Sequence, residues 1–117
     1  MKALFAVIAS GETVSAVVDA RKVNGIEAIY APAMSASGDL ILQGAISTAS
    51  GTTPPNSGDF CRFLDTRAVG SGDLRFPVGS ANRVVPMPGG LLVTTPFLRV
   101  EAGVAQTDTR TFTLLTR

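Results

Sequence analysis

The chain has no histidine, no tryptophan, one cysteine and one tyrosine. Without histidine there is no Ser-His-Asp or Cys-His catalysis, and the commonest transition-metal ligand is gone. With Cys61 as the sole thiol, a zinc centre lacks a ligand set and an intrachain disulfide lacks a second partner. A lone cysteine of this kind reads as a small buried apolar residue, and the usage fits a reducing compartment. An excess of either charge is missing too: ten Lys and Arg face nine Asp and Glu. Only Arg21-Lys22 are adjacent bases, so the clustered cations that drive nucleic-acid binding are absent and no nucleic-acid partner is expected. No apolar run approaches the ~20 residues of a membrane helix. The start, Lys2 followed by an apolar run, mimics a signal peptide. It stops at Ser10-Gly11-Glu12 and strand-like sequence resumes at Thr13, so residues 2–9 read as a first strand.

Other catalytic constellations are equally thin. The only lysines are Lys2 and Lys22, both in strand-like N-terminal sequence. Asp59, Asp65 and Asp73 are the nearest carboxylates for glycoside chemistry. Two of them end Ser-Gly-Asp turns, and the third precedes Thr66-Arg67. Gly89-Gly90 leads into Leu91 with no Lys-Ser/Thr behind it, so there is no phosphate loop. Sugar sites stack ligands on exposed aromatic rings, and Tyr30 is the single amphipathic aromatic here. The six Phe sit inside apolar runs and read as core. The chain is therefore expected to be non-enzymatic and to carry no cofactor or metal.

What is present is punctuation. Twelve Gly and seven Pro separate short apolar runs. The runs cover residues 2–9, 13–20, 25–31, 39–46, 60–64, 74–76, 83–85, 91–94, 97–102 and 109–116, which are strand lengths rather than helix lengths. Residues 13–22 hold enough Ala and Val for a helix, but the Val17-Val18 pair and the Asn24-Gly25 turn favour a strand. Ser-Gly-Asp recurs at residues 37–39, 57–59 and 71–73, each time just before an apolar start. Gly permits positive φ there, and Ser and Asp bond their own backbone, so these are turns rather than a calcium cluster. Residues 47–57 and 86–90 read as loops, the second because Pro86 and Pro88 exclude a central strand. In residues 97–101, Leu98 and Val100 should face one way, and Arg99 and Glu101 the other. Ile26, Ala28 and Tyr30 should share a face. The last two runs, joined by a short polar connection, read as an antiparallel hairpin. The whole chain, residues 1–117, is expected to be a single all-β domain, an antiparallel β-sandwich of jelly-roll type.

Three segments carry a family resemblance. The first is residues 13–34, a strand, a turn and Ile29-Tyr30-Ala31-Pro32-Ala33-Met34. The second is residues 37–45, an apolar strand bearing Gln43. The third is residues 97–114, with a Gly, Ala, Gln and Thr connection inside it. Together they resemble small virion structural proteins of tailed bacteriophages, and the likeness does not extend over residues 47–88. The resemblance implies a β-sandwich protein of the virion, assembled in the host cytoplasm. The expected role is a capsid decoration (cement) protein that forms a homo-oligomer and contacts other virion proteins, the major capsid protein first. A tail, neck or fibre-base component is the alternative within the class, and a non-catalytic carbohydrate- or ligand-binding module the alternative outside it.

Charged residues make up 16% of the chain and hydrophobic ones 45%, against about 25% charged in an ordinary soluble domain. Either partners hide apolar surface, or a β-sandwich simply uses many Val, Leu and Ala. Expected contact residues are Thr52, Thr53, Pro54, Pro55 and Asn56 in the first loop and Pro86, Met87 and Pro88 in the second. Leu4 and Val7 join them, on a first strand able to pair with a neighbouring subunit.

Overall fold

The computed structural model describes residues 2–35, 39–45, 55–63, 72–78, 81–92 and 95–117. Nine strands are assigned among them: β1 Lys2–Ile8, β2 Val18–Asp19, β3 Gly25–Ala31, β4 Asp39–Ala45, β5 Cys61–Arg62, β6 Arg75–Pro77, β7 Arg83–Leu92, β8 Phe97–Ala102 and β9 Arg110–Thr116. One sheet has the order β1-β9-β3-β7, and the other has β2-β8-β4-β5 with β6 also on β4. All pairings are antiparallel. β5 meets β4 at Gly44 and Gln43, and β6 meets it at Ile41 to Asp39. Leu74 N–H donates to Phe63 O at 2.8 Å, closing the detour between them. The two short strands are thus one neighbour of β4, interrupted midway. Counted that way, the sandwich has two four-stranded sheets in the strand order of a jelly roll, with β4 and β5–β6 the one consecutive pair that shares a sheet.

Period-two patterning builds the core. From β9, Phe112 and Leu114 point inward; from β1, Ala6 and Ile8; from β4, Leu40 and Leu42; from β8, Leu98 and Val100. Each buried Leu, Ile or Phe contributes roughly 1.5–3 kcal/mol. The expected split of Leu98 and Val100 from Arg99 and Glu101 is what β8 does. Ile41, Ala45 and Phe97 are buried as well, yet stand outside this inter-sheet cluster on the opposite side of β4 and β8. β4 and β8 are therefore buried on both sides, which gives the unbroken burial of residues 40–45.

Several expectations are corrected. Residues 97–116 do not form a hairpin, because β8 pairs with β2 and β4 whereas β9 pairs with β1 and β3. Their connection is an arch between the sheets, pinned by Gln106. This residue is 1% exposed. Its N–H donates to Glu12 O at 3.1 Å and its carbonyl accepts from Gly11 N–H at 2.7 Å. Its side chain accepts from Ser35 N–H at 2.9 Å and donates to Val104 O at 2.9 Å. Gly11 takes φ 85°, a left-handed turn suited to glycine.

The second run, residues 13–20, is a strand only at Val18–Asp19, with Val14 bridged to Glu101. Between them the Ser15 hydroxyl takes the Val100 N–H at 3.0 Å, a side chain standing in for backbone. In β3 the register slips between Ile26 and Ala28. The bulge sends Ile26 into the core and leaves Tyr30 outside, so the two do not share a face. Residues 86–90 are not a loop: β7 runs through them. It is an edge strand, with Pro86 opposite Ala28, where a ring nitrogen without N–H can face away from the sheet.

Candidate functional site

The outer face of the first sheet is built by three rows of cross-strand neighbours. Phe5 lies opposite Thr113, Thr113 opposite Tyr30, and Tyr30 opposite Val84. Ala3, Leu115, Ala28 and Pro86 form the next row, and Val7 with Thr111 the third. Tyr30 is the only titratable side chain in these rows. Phe5 is 61% exposed, Val84 57%, Tyr30 49% and Val7 36%. These four are most of the large exposed hydrophobics among the described residues, with Val104 in the β8–β9 arch the other. Single exposed apolar residues are ordinary; a contiguous uncharged sheet face is not. One part is concave: Tyr30, Val84, Thr111 and Thr113 line a shallow open depression with Pro32, Asn82 and Arg83 at its rim.

The outer side of the second sheet is the opposite case. Arg99 Nε donates to Gln43 Oε1, and Gln43 Nε2 donates to Glu101 Oε1. Arg62 grips Glu101 in a fork, Nε to Oε1 at 2.9 Å and Nη2 to Oε2 at 2.6 Å, and reaches Asp73 Oδ2 at 2.9 Å. The Arg99 guanidinium lies over the Phe60 ring, 4.5 Å from its centroid, and donates through Nη1 to Ser57 Oγ at 3.0 Å. Arg75 adds longer pairs to Asp73 at 3.7 Å and Asp39 at 3.9 Å. Hydrogen bonds from Arg62 hold the Glu101 carboxyl below its ordinary range, and burial lowers the Arg99 guanidinium. Three arginines thus face three carboxylates. An acid or base for catalysis needs a partly uncompensated group, and here the charges neutralise one another. The network works as a clamp that ties residues 57–62 and Asp73 to β4 and β8.

Among the described residues no group of three His, Cys, Asp or Glu could hold a metal ion, and no helix is long and apolar enough to cross a membrane. Cys61 is exposed on β5, which corrects its expected burial: both residues of this two-residue strand at the sheet's edge are open to solvent. Phe5 likewise corrects the reading of every Phe as core. In β1 both alternating sets, Leu4, Ala6, Ile8 and Ala3, Phe5, Val7, are apolar, so composition could not say which set faces out.

The expected contact residues are dispersed. Thr52, Thr53 and Pro54 lie outside the described residues. Pro55 is buried, and Asn56 is exposed at the start of a short 3-10 turn, its N–H donating to Asp59 Oδ2 at 2.9 Å. Pro86 and Val7 both belong to the uncharged face but stand on its opposite edge strands, β7 and β1, and in different rows. Met87, 8% exposed, belongs to the core and leaves the contact set, because β7 turns it inward. Pro88 continues β7. Leu4 points inward and is half-buried at the sheet edge. The face's central residues, Phe5, Tyr30, Val84 and Thr113, were not singled out as one surface, since only the strand order assembles them. The sequence signal was a first strand apolar on both sides. No protein-family model, curated protein or solved structure matches this chain.

Proposed function

We infer that this chain is a non-catalytic structural protein of a tailed-phage particle, a decoration protein that docks on the assembled capsid shell. The observation that carries a docking role is the uncharged outer face of the first sheet, which has no covering layer among the described residues, whereas β4 and β8 of the second sheet are buried on both sides. Flat apolar faces of this kind are interaction surfaces. The particle itself comes from the resemblance, whose three segments span β2, an edge strand, and β3, β4, β8 and β9, the four inner strands of the sandwich. Jelly rolls recur in viral capsids, a fold-level analogy in the same direction. A protein that binds the assembled shell but not its separated subunits stabilises the shell by mass action, and a repeated lattice multiplies weak contacts.

The test is quantitative mass spectrometry on gradient-purified particles of the phage that encodes the chain, with heads and tails separated. Recovery with heads at a fixed ratio to the major capsid protein is the expected result. Recovery with tails at a low fixed copy number moves the assignment to the tail, neck or fibre base. Absence from particles overturns the virion reading.

One observation favours a second reading, a glycan- or ligand-binding module. Tyr30 offers an exposed aromatic ring beside Asn82 and Thr111 in an open depression. Saturable glycan binding that Tyr30→Ala abolishes would establish it.

A further inference from the structure

Each sheet has two edges, and three of the four are blunted. β7 carries Pro86 opposite Ala28. β2 is two residues long. The β5–β6 edge is interrupted between Arg62 and Arg75. Short strands, proline and irregularity are the usual protections against edge-to-edge pairing. β1 has none of them: it is seven residues, Lys2–Ile8, without proline and with a charge only at its first position.

Hydrogen-bond parity shows what this edge offers. Ala16 N–H donates to Val7 O at 3.1 Å, so the odd residues of β1 turn their backbone groups away from β9. The even ones turn toward it, and Lys2 O accepts from Thr116 Oγ1 at 3.1 Å. Among the described residues Ala16 makes the one backbone hydrogen bond to the open side of β1. The N–H and C=O of Ala3 and Phe5 therefore face outward, and both residues are exposed. Beside them lies the mouth of the inter-sheet space, a depression with Leu4 and Val23 in its wall and Lys2, Asp19, Arg21 and Lys22 around it.

We propose that a second copy of this chain fills the edge, pairing antiparallel along β1 about a two-fold axis at Leu4. The sequence is self-complementary in that register. Ala3 of each copy lies opposite Phe5 of the other, small against large on the outer face, and these pairs exchange about four backbone hydrogen bonds. Leu4 lies beside its symmetry mate on the inner side, which closes the half-buried leucine at the mouth. Lys2 falls opposite Ala6, leaving the two lysines about 13 Å apart, roughly a Debye length or more. The uncharged face then continues across both copies. A strand pair alone buries well under the ~800 Å² per partner of a standard interface, so the dimer is weak in solution and favoured where copies are concentrated. This inference uses only the edge and stands whether or not the virion reading does.

Sedimentation equilibrium from about 10 to 500 μM tests it, together with two variants. Ala3→Pro removes one outward N–H and leaves the β9 ladder intact. The expected result is a monomer–dimer equilibrium that Ala3→Pro weakens at least tenfold with an unchanged β-sheet circular dichroism spectrum. Leu4→Cys in a Cys61→Ser background should cross-link to itself under mild oxidation, as non-hydrogen-bonded neighbours lie within disulfide reach. Ala6→Cys in the same background should not. A monomer throughout the range overturns the proposal. So does a dimer that Ala3→Pro leaves unchanged and Leu4→Cys fails to trap.

Discussion

Glu101 is the residue on which the outer network of the second sheet converges. It accepts from Gln43 and takes both arms of Arg62, with its side chain 13% exposed. Its carboxyl is held below the ordinary value of 4.5 chiefly by the hydrogen bonds from Arg62. A depressed folded-state pKa means the unfolded chain binds the proton first as pH falls. The stabilisation is therefore complete above the unfolded value and is lost as pH drops through the folded one. Wild-type protein should lose melting temperature steeply below about pH 4.5. Glu101→Gln should lower stability at pH 7 by about 2 kcal/mol and flatten that acid limb, as thermal melts between pH 3 and 8 would show. Gly44 is the second residue whose identity the packing dictates. A Cβ there meets Thr95 Oγ1 and the Phe63 ring. Gly44→Ala should cost about 1–3 kcal/mol in urea unfolding, through displacement of the Thr95 side chain, whose hydroxyl donates to Phe97 O, and of the Phe63 ring rather than backbone strain.

At the scale of elements, β7 shows how one strand can be both bonded and defended. Pro86 sits where the missing N–H costs no ladder bond, and it denies that N–H to any incoming strand. Pro86→Val should leave monomer stability within about 0.5 kcal/mol yet promote concentration-dependent association, readable by light scattering at a series of protein concentrations. The same strand marks a limit of reading from sequence. Two prolines close together suggested a loop because they forbid a central strand, but they do not forbid an edge, and edge or centre is decided by strand order. The β8–β9 connection failed for a related reason. Its length and composition suit a hairpin as well as an arch between sheets, and the choice rests on Gln106 meeting Gly11, Glu12 and Ser35, far away in the chain. The β3 bulge is similar: an extra residue inside an apolar run leaves no trace in period-two patterning. What could be read were local alternations with contrast, such as Leu98 and Val100 against Arg99 and Glu101. β1, apolar on both sides, had no such contrast, and for that reason the uncharged face was not visible before the strands were ordered.

The whole molecule is asymmetric in a way that bears on its proposed role. One outer surface is a mesh of compensated ions over a packed sheet, and the other is an uncharged sheet face with Phe5, Tyr30 and Val84 exposed. If the second is the docking face, charging it should separate binding from folding. Tyr30→Glu with Val84→Lys places opposite charges on directly opposed neighbours. The pair should keep the melting temperature within about 2 °C, as surface changes usually do, while abolishing recovery on particles. A double variant that melts normally and still binds would move the contact elsewhere.

The pairing of β1 with β9 has one more consequence, for biosynthesis. Lys2–Ile8 leaves the ribosome before the other strands of the sandwich, yet its only in-sheet neighbour among the described residues is Arg110–Thr116, the last of them. The first sheet cannot close until Arg110–Thr116 has been translated, so its closure follows every other strand and is dominated by long-range contacts, the slow regime for β proteins. Until then the nascent chain carries an unpaired, proline-free strand with both edges open, the kind of segment on which chaperones act and from which truncated products aggregate.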